Sequence, residues 1–195
     1  MKAKETGIIF MAGSLYYIIA EMICAIAFND TPINTYIYHT ISELGIPNIN
    51  SPLSFLMNSA FVLIGITLIA GNCCGLKEYI TKNRTLFYVF SMITASGVII
   101  VGLIHGGNPL TSGYHTLGAV MAILGGNILL IITSTSMKEF NEYSKITLIL
   151  GIVGFIMFWV LFFNMESVYM PVYERLSVYT MILWSFITGL YLFKS

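Results

Sequence analysis

Charge is what this chain has least of. Only 9% of its 195 residues are Asp, Glu, Lys or Arg, against about a quarter in soluble domains. A further 57% are apolar, and the mean hydropathy is +0.84, which excludes a soluble globular fold. Nine basic and nine acidic residues cancel, so there is no surplus of positive charge to neutralise phosphates, and nucleic acid is excluded as a partner. Cysteine is also scarce. Cys24, Cys73 and Cys74 lie inside or at the edge of apolar runs without metal-ligand or redox spacing, and they read as small packing residues. The glycine-rich stretch 102–107 has neither phosphate-loop pattern, which removes nucleotide binding.

What is present is hydrophobic length. Six apolar runs, roughly 6–28, 52–74, 85–105, 113–135, 145–164 and 170–193, are each long enough to cross a hydrocarbon core of about 30 Å. The sequence therefore predicts an all-α polytopic membrane protein, a single six-transmembrane-helix domain over residues 1–195. The first run is read as a retained helix and not a cleaved signal. Its apolar stretch exceeds the seven to fifteen residues of a signal core, and Glu21 interrupts it. Eight of the nine basic residues, Lys2, Lys4, Lys77, Lys82, Arg84, Lys138, Lys145 and Lys194, fall on alternate connections, while Asp30, Glu43 and Glu166 fall on the others. The positive-inside rule then places the protein in the cell membrane with both termini cytoplasmic.

The connection between the first two runs carries its own pattern. Thr31 and Pro32 read as a helix start, Gly45 and Pro47 as a stop, and Ile33, Ile37, Ile41 and Leu44 recur between them at helical spacing. This predicts an extracytoplasmic amphipathic helix over 32–44, lying in the interface as a lid. In run four, Gly118, Ala122 and Gly126 form a smooth ridge of the kind that lets membrane helices approach closely, which predicts a central position for that helix.

Polar residues concentrate toward the lid side. His39, His105 and His115 all fall there. So do Glu21 on run one, Asn58 on run two, and Glu174 with Arg175 on run six. Ionisable groups at such depths are costly and usually pair, and Arg175 with Glu21 is the pairing the depths predict. Tyr16, Tyr17, Tyr36, Tyr38, Tyr169 and Tyr173 read as interfacial aromatic belts.

The run Ile41-Ser42-Glu43-Leu44-Gly45, followed by Ser51-Pro52 and Asn58, then Val101-Gly102-Leu103 with His115 and Gly118, and finally Glu174-Arg175-Leu176, resembles the uncharacterised membrane-protein family known as domain of unknown function nine-nine-eight. The resemblance covers nearly the whole chain and implies a six-span bundle with no established activity. The chain departs from it after the third span, where His105-Gly106-Gly107 replaces an acidic or proline-containing turn.

These motifs coincide with the polar positions, which points to a ligand-binding site in the outer half of the bilayer made from Ser42, Glu43, Asn58, His115, Glu174, Arg175 and Glu21. The first functional expectation is a non-catalytic lipid-binding or accessory membrane module, with membrane lipids or other membrane subunits as partners. The alternative is a membrane-embedded hydrolase or transferase acting on a lipid or lipid-linked substrate. There His115, Glu43 or Glu174 would be catalytic, His39, His105 and His115 would supply ligands for a metal such as Zn²⁺, and Arg175 would hold an anionic headgroup. The His-x-x-x-His spacing of the seven-span ceramidase-type hydrolases is missing. A small transporter is a third reading, weakened because no internal repeat is evident.

Overall fold

The computed structural model describes residues 2–48, 50–137 and 141–194. Lys138, one of the basic residues used for orientation, lies outside them. The described helices are α1 (Ala3–Ala27), α2 (Pro32–Tyr38), α3 (Ser54–Cys74), α4 (Arg84–Leu103), α5 (Ser112–Ser136), α6 (Glu142–Phe163) and α7 (Met170–Lys194). All but α2 are long and apolar enough to cross a membrane, and the chain is a polytopic membrane protein. In hydrocarbon an unpaired backbone N–H or C=O costs several kcal/mol, so each apolar run bonds within itself as a helix.

The six long helices form a closed ring. Each packs on its chain neighbours, and α7 returns to α1. Small residues set the closest approaches. A Cβ added at Gly97 of α4 would lie 2.6 Å from both the Gly118 carbonyl oxygen and the Ala122 nitrogen of α5, and one at Gly7 of α1 would lie 2.6 Å from the Gly189 carbonyl oxygen of α7. The small-residue ridge of α5 serves more than one seam, and that helix packs on α4, α6 and α7. Gly118 and Ala122 meet Gly97, whereas Gly126 turns toward Met181 of α7. The ring is pinned inside by Asn127, fully buried on α5. Its amide donates to the Ile123 carbonyl at 2.8 Å and the Ser177 carbonyl at 3.1 Å, and its carbonyl accepts from Thr180 at 2.7 Å. Helix α6 is the least covered, with Ile149, Ile152 and Ile156 facing outward.

The lid differs from the expected single helix over 32–44. Thr31 caps α2 by accepting from the Asn34 N–H at 3.3 Å, and Pro32 occupies the first turn, as the sequence predicts. The helix stops at Tyr38, His39 is extended, and Ser42–Gly45 forms a short 3₁₀ turn. The break has a cause in α7. Arg175 takes the Tyr36 and His39 carbonyls, and Glu174 takes the Ile41 N–H, so backbone groups that would continue the helix are bonded to side chains instead. Ile41 and Leu44 are buried as expected, but Ile33 is 72% exposed and Thr35 is buried in its place. Asn58 Nδ2 donates to the Gly45 carbonyl at 2.8 Å, and Ser51 Oγ donates to the Leu44 carbonyl. Gly45 is required here because a Cβ would run into the Asn58 side chain.

Candidate functional site

Two adjacent residues of α7 divide the work at the lid end. Arg175 is 4% exposed. Its Nε donates to Glu21 Oε1 at 3.0 Å, while Nη1 donates to the carbonyls of His39 at 2.7 Å, Tyr36 at 3.1 Å and Pro171 at 3.3 Å. The guanidinium also sits 5.0 Å from the Tyr36 ring centre. The planar fork of arginine suits this multiple role, which a lysine ammonium cannot reproduce. Glu21 Oε1 additionally accepts from the Tyr179 hydroxyl at 2.9 Å. The pairing predicted from depth is therefore present, and the same cation clamps the lid. Arg175 is thus a fastening for the lid, and its Nη2, like Glu21 Oε2, is buried without a hydrogen-bond partner among the described residues.

Glu174 faces elsewhere. One of its oxygens accepts the Ile41 N–H at 2.8 Å, and the side chain borders a cavity at the centre of the ring. Tyr17 of α1, Phe61 and Ile64 of α3, Val98 and Val101 of α4, Ala119, Ala122 and Ile123 of α5, and Ser177, Val178 and Met181 of α7 form its walls, with Ile41 and Ser42 of the lid. The void amounts to about 530 Å³ including the space at its mouth, and the centres of water molecules can occupy about 40 Å³ of it. One water needs roughly 10–15 Å³ on that measure. The walls are apolar except for Glu174, Ser42, Ser177 and the Tyr17 phenol, whose hydroxyl is buried and has no hydrogen-bond partner among the described residues.

The three histidines serve separate sites. His39 Nδ1 lies 2.8 Å from Glu43 Oε2, and its Nε2 lies 3.5 Å from Asp30 Oδ2. The imidazole thus bridges two carboxylates on opposite sides of the ring and does not converge with them on one point. His115 Nδ1 donates to the Ile104 carbonyl at 2.6 Å, closing the turn between α4 and α5. His105 Nδ1 is buried without a partner among the described residues. No three His, Cys, Asp or Glu side chains among the described residues gather in a metal-holding group, so the zinc set expected from His39, His105 and His115 is not assembled.

On the lid, the Asn34 amide, the Thr31 N–H and His39 hold the Asp30 carboxyl below its ordinary value. The sign follows from that direction. Their support of the start of α2 is present above the ordinary carboxylate range and is lost as pH falls through the lowered value. Asn34→Ala should move the Asp30 titration upward in an NMR pH series, and an unmoved titration would show that the amide is not what holds the carboxylate.

The family described as Protein of unknown function (DUF998) matches residues 11–191, nearly the whole chain. The chain belongs to this family. No curated protein and no solved structure matches it.

In this DUF998 member the residues read from the sequence as one shared site separate into three groups. Glu174 and Ser42 border the cavity, Glu21 and Arg175 form the clamp beside it, and Asn58, Glu43 and His115 brace the lid and a turn. Tyr17 and Tyr36 read from the sequence as belt residues, and Tyr179 carries no such pattern. The structure buries Tyr17 in the cavity wall, lays Tyr36 against Arg175 and bonds Tyr179 to Glu21. The signal was available in the spacing. Tyr17 precedes Glu21 by four residues and Tyr179 follows Arg175 by four, which places each tyrosine on the same helical face as a charge already known to turn inward.

Proposed function

We propose that this protein is a non-catalytic lipid-binding module, which takes a slim amphiphilic membrane molecule into the centre of its helical ring beneath the lid. The observation that carries this reading is the cavity itself. It is an apolar chamber with Glu174, Ser42 and the unpartnered Tyr17 hydroxyl, the pairing of apolar walls with a few placed polar groups that ligand pockets use. The lid end faces away from the cytoplasm in this proposal, because the basic residues crowd the opposite end of the bundle. Seen this way, Arg175 and Glu21 keep the lid in place while Glu174 meets the guest.

Filling the chamber tests the proposal. Ala119 lines the wall and is half-buried, so Ala119→Leu should occupy the void without breaking a polar contact. Native mass spectrometry of protein extracted in mild detergent should show the wild type carrying an amphiphile and the variant having lost most of it, with the unfolding temperature unchanged or raised. An unchanged lipid complement in a folded variant would remove the chamber as the binding site. A second reading, a hydrolase or transferase acting on a lipid or lipid-linked substrate, draws on one observation: the Ser42 hydroxyl and the Glu174 carboxylate border the same cavity. Chemical conversion of the bound molecule, abolished by Ser42→Ala, would favour that reading over simple binding.

A further inference from the structure

We propose that the guest is a single-chain aliphatic alcohol, its hydroxyl held between the Tyr17 phenol and the Glu174 carboxylate. This rests on the cavity being a lipid-binding site and names the chemistry of its occupant.

The polar groups at the cavity define what a headgroup must do. Tyr17 is 1% exposed, and its ring is fixed edge-on against Phe61 with centres 5.8 Å apart. Its hydroxyl nevertheless has no partner among the described residues, and a buried hydroxyl in that state is costly unless something completes it. Glu174 gives one oxygen to the Ile41 N–H and keeps open surface where it borders the cavity. The two side chains border the same cavity. A ligand hydroxyl can donate to the carboxylate and accept from the phenol at once. An ammonium group only donates and leaves the phenol proton unmatched, and a bare hydrocarbon satisfies neither group.

Charge excludes the commonest lipid headgroups. Carboxylates gather at this end as Glu21, Glu174, Glu43 and Asp30. The cation among them, Arg175, has Nε on Glu21, Nη1 on backbone carbonyls and Nη2 buried without a partner among the described residues, but it does not border the cavity, whereas Glu174 does. A phosphate or carboxylate headgroup would be set against Glu174 in a low-dielectric site, where like charges repel strongly. Shape narrows the class further. From Glu174 to Met181 the α7 wall extends about 10 Å along the helix axis, and the room for water centres is only about 40 Å³. One unbranched chain fits that space and a fused-ring skeleton does not.

The test uses the full-length protein in nanodiscs with a diazirine-bearing decanol as probe, locating the labelled peptides by mass spectrometry. Labelling should fall on the α5 and α7 segments that border the cavity. Unlabelled decanol should compete about tenfold better than decylamine, which leaves the phenol proton unmatched, a factor on the scale of one hydrogen bond. It should compete at least as much better than decanoate, which meets Glu174 with like charge. Tyr17→Phe should weaken decanol competition several-fold, and Glu174→Gln should admit decanoate. Cavity labelling that decanoate or decylamine competes for as well as decanol does would overturn the alcohol assignment and leave a lipid chamber standing. No cavity labelling by the decanol probe, or by the same chain bearing a carboxylate or an amine, would overturn the chamber with it.

Discussion

Arg175→Gln should destabilise the protein in detergent by about 3–5 kcal/mol, the cost of leaving one member of a buried ion pair without its partner. The substitution strands Glu21, which is 1% exposed, and it also frees the Tyr36 and His39 carbonyls that end α2. Glu21→Gln should cost less, because the lid contacts of Arg175 survive it. The double variant should lose less than the sum of the two, by at least about 1 kcal/mol. Unfolding monitored by tryptophan fluorescence supplies the four values, and strict additivity would show that the contact carries no coupling. Arg175→Lys should resemble Arg175→Gln at the lid even though it keeps the charge, since a single ammonium cannot reach Glu21 and the carbonyls together.

Gly97→Ala should be comparably damaging, about 3 kcal/mol, for a steric reason and not an electrostatic one. Any Cβ there meets the α5 backbone at 2.6 Å on two atoms, and neither can swing aside as a side-chain tip would. The seam between α4 and α5 must open, which also shifts Ala119 and Ala122 in the cavity wall. Gly113→Ala is the internal control. A Cβ there meets nothing within 4 Å, so the same chemical change in the first turn of α5 should be neutral or stabilising by about 0.5 kcal/mol through helix propensity. Equal losses at both positions would mean that close backbone approach is not what Gly97 provides.

The contrast between those sites reflects what the sequence could reveal. Spans were legible because hydrophobic length is a property of each segment alone, and the helices run close to the six apolar runs. The Glu21–Arg175 pair was legible because charges are so rare at depth that the two had few other partners. The end of α2 was not legible, since it depends on side chains from α7, more than a hundred residues away in sequence. Read locally, Ile33, Ile37, Ile41 and Leu44 make a valid helical stripe, and only the long-range capture of the His39 carbonyl and the Ile41 N–H breaks it. The cavity was hidden for a related reason. It is a gap left where five helices and the lid fail to fill the middle of a ring, and no single helix encodes a gap.

Ring closure by the last helix has a consequence for biosynthesis. Glu21 enters the bilayer 154 residues before Arg175 leaves the ribosome, so for most of translation an acidic side chain sits in the membrane without its cation. Insertion of α7 is then the step that supplies Glu21 with its cation and seats the lid. Nascent chains stopped short of Met170 should be the forms that quality-control proteases remove first.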